Sequence, residues 1–188
     1  MEERILKNST LLLTALLCIF FIYGCANQIS SNDFIHDPEV IDEVSVGVVV
    51  GEGEVVNVDI KDELQVSEML DLLKNVEVEK FSVDKVNAIY ENAEIWSQNV
   101  KFQISLIATS KFDRADPNAA LKGFIVILEE GNLLFVDPKT MGPFEEDQIE
   151  KTAYYISKEI QTENINKMVR IIEEKSENIR GKINNKFS

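Results

Sequence analysis

The spacing of apolar and polar residues changes several times along the chain, and each change predicts a new structural element. Residues 56–60 alternate apolar and polar side chains, which is the pattern of a strand with one buried face. Residues 62–74 instead place apolar side chains at helical spacing, as an amphipathic helix does. Helical spacing returns from Thr162 onward, with Gly181 as a candidate C-terminal cap. The chain therefore predicts both strands and helices.

Glycine-containing turns join two pairs of strand-like segments. Residues 44–60 contain two β-rich runs around Gly51 and Gly53, which predicts a hairpin. Residues 124–136 contain two apolar runs around Gly131-Asn132, a pair that suits the positive φ of a tight turn. Four other segments complete the pattern: strands at 76–83 and 101–109, a strand or helix at 152–157, and a short helix or irregular segment at 84–99.

This order of elements predicts an α+β fold. Strands outnumber helices and tight turns join neighbouring strands, so we expect a mostly antiparallel sheet. We expect one or two helices to pack on one face of that sheet. The chain has 188 residues, 45% of them hydrophobic, which suits a single domain at residues 43–188.

An apolar run at residues 11–23 precedes this domain. It follows Arg4 and Lys7 and is shorter than the stretch of about 20 residues that a membrane-spanning helix needs. Its length suits the central region of a secretory signal peptide. We therefore interpret residues 1–24 as a signal helix. An uncleaved N-terminal anchor and an ordinary cleaved leader are the alternatives.

The end of the run resembles the lipobox of bacterial lipoproteins. In Ile22-Tyr23-Gly24-Cys25 an aliphatic residue and a small residue stand where the lipobox has them, directly before the cysteine, whereas Tyr23 departs from the usual small or hydroxylic residue. The resemblance implies that Cys25 receives a diacylglyceryl group and becomes the mature N-terminus. Because two acyl chains hold a protein stably on a bilayer, it implies a lipid-anchored protein on the extracytoplasmic face of the cell membrane.

Residues 25–42 lack a regular apolar pattern and are rich in Asn, Ser and Asp. They predict a flexible tether that holds the domain off the bilayer. His36, the one histidine of the chain, lies in this segment beside Asp37. We interpret it as a solvated side chain rather than a metal ligand, and we expect no cofactor.

Charge and composition argue against several classes of function. The chain carries 33 acidic and 19 basic residues, a net charge of −14, so phosphate backbones would repel it and we expect no nucleic-acid binding. Cys18 would leave with the leader and Cys25 would be acylated, which removes the thiol nucleophiles. Since the chain also lacks a G-x-S-x-G motif and has one histidine, we expect no enzymatic activity.

Two stretches of the domain resemble small lipoproteins of Gram-positive bacteria with a YhfM-like domain. They are residues 56–83 and 124–141, and the resemblance covers roughly residues 44–172. It implies a strand that enters a helix, a return to a second strand, and a later hairpin around Gly131. It implies no activity and no functional residue.

Trp96 and Tyr90 are the candidate residues for a binding surface, and the alternative is that Trp96 packs on the sheet as core. The acidic loops at 113–116 and 145–147 do not follow a calcium-loop pattern, so we expect no metal site. The sequence favours a lipid-anchored, non-enzymatic module that binds an unknown extracytoplasmic protein or envelope component. The alternative is an accessory receptor for a small ligand or a cation at the membrane surface.

Overall fold

Seven strands form one sheet in the computed structural model, which describes residues 29–51, 54–113, 116–141 and 151–175. The strands are β1 (Glu43–Gly51), β2 (Glu54–Ile60), β3 (Val78–Lys80), β4 (Val100–Ile107), β5 (Leu121–Leu128), β6 (Leu133–Val136) and β7 (Tyr154–Ser157). From edge to edge the order is β2-β1-β4-β5-β6-β7-β3, and every neighbouring pair is antiparallel. The predicted α+β class, the antiparallel sheet and both hairpins are confirmed.

Four α-helices accompany the sheet within the described residues. They are α1 (Glu63–Leu73), α2 (Val83–Ile89), α3 (Ala93–Asn99) and α4 (Thr162–Lys175). A polar side chain caps the start of each of the first three, which satisfies backbone N–H groups that a helix leaves unpaired. The Asn92 side chain, for example, accepts a hydrogen bond from the N–H of Ile95 at 2.9 Å. The cap marks the start of α3. Residues 84–99, for which a short helix was one alternative, therefore contain nearly all of α2 and the whole of α3.

The two faces of the sheet carry two separate hydrophobic clusters. In β6, Leu133 and Phe135 belong to one cluster and their neighbours Leu134 and Val136 to the other, because successive side chains of a strand face opposite sides. The larger cluster, here called the major core, packs α1 and α4 on the sheet. The smaller one, the minor core, packs α2 and α3 on the opposite face. Helices therefore cover both faces.

The expectation of one or two helices on a single face is thus wrong. It failed at α2 and α3, which have 7 residues each. Two helical turns are too short to repeat an apolar stripe, so the helical period could not be read there. Residues 152–157, by contrast, follow the strand alternative, because the β-prone pair Tyr154-Tyr155 begins β7.

Residues 29–31 form an additional short pairing on the outer side of β3. The N–H of Ser31 donates to the carbonyl of Val76 at 2.8 Å, and the N–H of Val78 donates to the carbonyl of Ile29 at 3.1 Å. Ser30 and Glu77 lie opposite each other as an antiparallel bridge. This edge of the sheet is therefore partly covered by the N-terminal segment.

The segment that continues to β1 is also packed. Phe34 is 6% exposed and stacks on Tyr155, with ring centroids 4.3 Å apart. The N–H of Thr109 donates to Asp42 at 2.8 Å. Hydrogen bonds from the Thr109 side chain and backbone lower the pKa of the Asp42 carboxyl. The prediction of a flexible tether at residues 25–42 is therefore wrong for residues 29–42. Single apolar residues there pack into the major core, but their spacing follows neither a helical nor a strand pattern. Residues 25–28 lie outside the described part.

Candidate binding surfaces

Tyr90 and Trp96, predicted as a binding surface, lie together beside the minor core. Tyr90 follows α2 and Trp96 lies in α3. Both are half-buried and pack against the cluster that contains Val86 and Leu134. Trp96 thus has the packed position that was the alternative, and a binding role for the pair stays a prediction.

The polar atoms of this aromatic pair are poorly solvated. Burial raises the pKa of the Tyr90 phenol to about 12, and a hydrogen bond with Gln103 offsets part of that rise. The Trp96 indole lies toward the same hydroxyl. Its buried N–H makes no hydrogen bond of acceptable geometry within the described residues. An acceptor brought to this N–H would satisfy it, and this is the chemical feature that keeps the pair a candidate site.

A groove of about 650 Å³ runs between α1 and residues 38–42. Val66 and Leu70 of α1 supply apolar wall, while Lys61 and Glu63 supply charge. A concave surface with apolar wall and charges of both signs can hold an extended peptide or a small polar ligand.

A second groove, of about 440 Å³, lies where β3 ends, and we call it the β3 groove. It is lined by residues 80–83 and 151–155, which include Lys80, Phe81 and Lys151. The ammonium of Lys85 stands 5.4 Å from the centroid of the Phe81 ring, a cation–π contact.

Lys80, which lines the β3 groove, and Lys85, which lies beside it, differ from most other lysines in the described chain. Six lysines elsewhere form ion pairs with carboxylates. Within the described residues no ion pair joins Lys80 or Lys85 to an acid, although Glu79 and Asp84 are their neighbours along the chain. This groove therefore presents positive charge on a chain with a net charge of −14.

His36 is not a solvated tether residue, as the sequence had suggested. Its Nε2 lies 3.4 Å from Oδ1 of Asp137, and the two side chains are only 18% and 22% exposed. Its backbone N–H donates to the carbonyl of Lys122 at 2.7 Å. These contacts fasten the N-terminal segment to the sheet. In the described part of the chain, no group of three or more His, Cys, Asp or Glu residues could hold a metal ion.

The predicted lipidation site lies outside the described residues. This holds for Cys25, for the lipobox residues Ile22 and Gly24, and for the signal helix at residues 1–24. Among the helices that the structure describes, none is long and apolar enough to cross a membrane.

Sequence reasoning missed the β3 groove, because its two halves come from distant segments that only the strand order brings together. The local signal was Lys80-Phe81 followed by Lys85, a basic and aromatic stretch in an acidic chain.

No profile of a protein family, no curated protein and no solved structure matches the chain.

Proposed function

We propose that this chain is a bacterial lipoprotein, anchored through lipid on Cys25 to the extracytoplasmic face of the cell membrane. Its domain is a non-enzymatic binding module for another extracytoplasmic protein or a component of the envelope. The observation that carries the proposal is Ile22-Tyr23-Gly24-Cys25 at the end of the apolar run at residues 11–23. Acylation of Cys25 with two chains gives stable attachment without a spanning helix.

The groove beside α1 is the surface that we assign to the partner. It offers apolar wall at Val66 and Leu70 and charges of both signs at Lys61 and Glu63. A concave surface with apolar wall and a few charged groups is typical of a binding site. The carboxylates and lysines of its lining suit polar contacts with a partner.

The two cysteines of the chain provide the test of the anchor. Cys25→Ala should leave the leader attached and remove fatty-acid labelling, because the acylated thiol is gone. Cys18→Ala is the matched control, since Cys18 lies inside the apolar run, and it should be processed and labelled like the wild type. Intact mass and fatty-acid labelling of the membrane fraction measure both effects. Equal mass and equal absence of label in all three proteins would contradict the anchor.

One observation favours the alternative of a small-ligand or cation receptor. The groove beside α1, at about 650 Å³, lies within the range of roughly 300–1,000 Å³ common for ligand pockets. Glu39, Asp42 and Glu63 contribute to its lining, but they form no cluster that could hold a metal ion among the described residues, so the volume favours the small-ligand form. Calorimetric titration with Ca²⁺ tests the cation form, and Ser67→Trp should abolish any binding heat by filling the groove. Absence of heat in the wild type would contradict it.

A further inference from the structure

The pairing of residues 29–31 limits how far the domain can lie from a lipid on Cys25. Backbone hydrogen bonds fix Ile29 and Ser31 to the outer side of β3. Cys25 precedes Ile29 by four residues. Whatever their conformation, four residues span at most about 14 Å. A domain attached in this way lies against the headgroup region instead of standing off on a long tether.

The direction of the segment selects the end of the sheet that lies nearest the lipid. The bridge is antiparallel, with Ile29 bonded to Val78 and Ser31 bonded to Val76. Moving from Ser31 back to Ile29 therefore runs alongside residues 76–78, up to the first residue of β3, in the direction of Lys80. The chain leaves the described domain in the direction of the β3 groove.

The chemistry at that end complements an anionic membrane. Lys80 and Lys151 line the β3 groove, and Lys85 stands over Phe81 beside them. All three lysines are exposed. Lysines close to an anionic bilayer are attracted to it, and aromatic rings suit the boundary between water and lipid. The remainder of the acidic chain is repelled by the same surface, which further favours this one orientation.

We propose that the β3 edge, with Lys80, Lys85, Lys151 and Phe81, is the membrane-facing surface of the domain and contacts the headgroups of anionic phospholipids. This inference rests on the proposed anchor at Cys25. The sheet then stands edge-on to the membrane, with β3 at the bilayer and β2 at the far side. Six strand spacings separate these edges, a distance of roughly 29 Å. The groove beside α1 remains open for a partner.

Single-site labels on the full, acylated protein test the orientation. The mature chain has no cysteine other than Cys25, so Glu79→Cys in β3 and Asn57→Cys in β2 each create one free thiol for a fluorophore. Both positions are exposed. The probe is a vesicle of phosphatidylcholine and phosphatidylglycerol that contains a lipid with a nitroxide on its headgroup, a short-range quencher. We expect strong quenching of the Glu79 label and little quenching of the Asn57 label. Equal quenching, or stronger quenching at Asn57, would overturn the orientation.

Neutralisation of the lysines tests the electrostatic part. In the Glu79-labelled protein, Lys80→Gln, Lys85→Gln and Lys151→Gln together should abolish the increase in quenching that added phosphatidylglycerol produces. The matched control neutralises Lys61, Lys74 and Lys167, which lie outside the β3 groove, and should retain that increase. The same increase in both triple variants would overturn the role of the three lysines. Circular dichroism and thermal melting check that each variant is folded.

The two proposals fail in different ways. A protein that carries no fatty acid and stays in the aqueous fraction contradicts the anchor itself. A fatty-acylated, vesicle-bound protein with equal quenching at both labels contradicts only the orientation.

Discussion

The two faces of the sheet differ in how completely helices cover them and in how deeply their side chains are buried. The major core lies under α1 and α4, which have 11 and 14 residues, and most of its side chains are buried. The minor core lies under α2 and α3, with 7 residues each, and half-buried aromatic residues such as Tyr90 and Trp96 complete it. One face of the sheet is thus well shielded from solvent, whereas the other is shielded only in part.

Helix length explains this difference. A helix of 7 residues is about 10 Å long, so α2 and α3 cover only part of the face. On the same face, β1 and β2 present polar side chains, and Ser45 donates a hydrogen bond to Asp59 at 2.7 Å. Polar residues there can stay hydrated because no helix covers them. Whether a sheet face becomes part of the core therefore depends on the helices that lie over it as much as on the alternation of residues in its strands.

A pair of neighbouring substitutions in β6 tests whether the two faces of the sheet are packed equally well. Leu133 and Leu134 are both fully buried but face the major and the minor core, respectively. We expect Leu133→Ala to lower the free energy of unfolding by about 4 kcal/mol and Leu134→Ala by about 2 kcal/mol, since the half-exposed aromatics can relax into the smaller cavity. Urea titrations measure both values. Equal losses would show that the two faces are packed equally well.

A second substitution tests whether the N-terminal segment belongs to the major core. Phe34→Ala should lower the free energy of unfolding by about 3 kcal/mol, because it removes the ring stacked on Tyr155. Phe112→Ala is the control, and its side chain is 63% exposed, so we expect a change within about 0.5 kcal/mol. If the two variants were equally stable, residues 29–42 would be a tether after all.

Removal of a helix cap should affect the minor core locally. Asn92→Ala deletes the hydrogen bond to the N–H of Ile95 and should cost about 1 kcal/mol. Since α3 is short and half-covered, we expect amide hydrogen exchange to accelerate in α3 and to stay unchanged in α1. Asp62→Ala, which removes the cap of α1, is the matched variant on the major core. Faster exchange in α1 of Asn92→Ala would contradict the independence of the two faces.

The smallest expected effect is a pH dependence on the minor core. Burial raises the pKa of Tyr90 from 10.0 to about 12, so the folded chain keeps a proton that the unfolded chain loses. This contribution to stability is complete below pH 10 and declines as the pH rises toward 12. Tyr90→Phe should therefore lose stability less steeply in this interval. Burial also raises the pKa of Tyr154, so some decline remains. Identical slopes for wild type and variant would contradict the buried position of the phenol.

Regular patterns of sufficient length made much of the fold predictable. The alternation of β2, the helical spacing of α1 and the Gly131 turn between β5 and β6 all lie where the sequence indicated. Gly131 has φ 90°, as a tight turn requires. Prediction failed where an element was short, as in α2 and α3. It also failed where single apolar residues such as Phe34 pack into the core without the regular spacing of a helix or strand.

The candidate sites divide in the same way. The residues that resemble a lipobox are contiguous, so Cys25 could be singled out as a predicted lipidation site from its neighbours alone. The β3 groove depends on the pairing of β3 with β7, and the strand order was not encoded in any local pattern. Tyr90 and Trp96 were singled out by residue type, and residue type does not tell whether an aromatic side chain packs or binds.

The partner strand of β3 is β7, which comes near the C-terminal end of the described chain, and this affects the order in which the sheet can form. Val78 pairs with Ser157, so β3 must wait until almost the entire domain has emerged before its neighbour exists. Residues 29–31 in turn bond to the β3 region and depend on it. Pairings between residues so distant in sequence slow folding, because a long loop must close first. The β3 edge is therefore the last part of the sheet to be completed as the chain is synthesised.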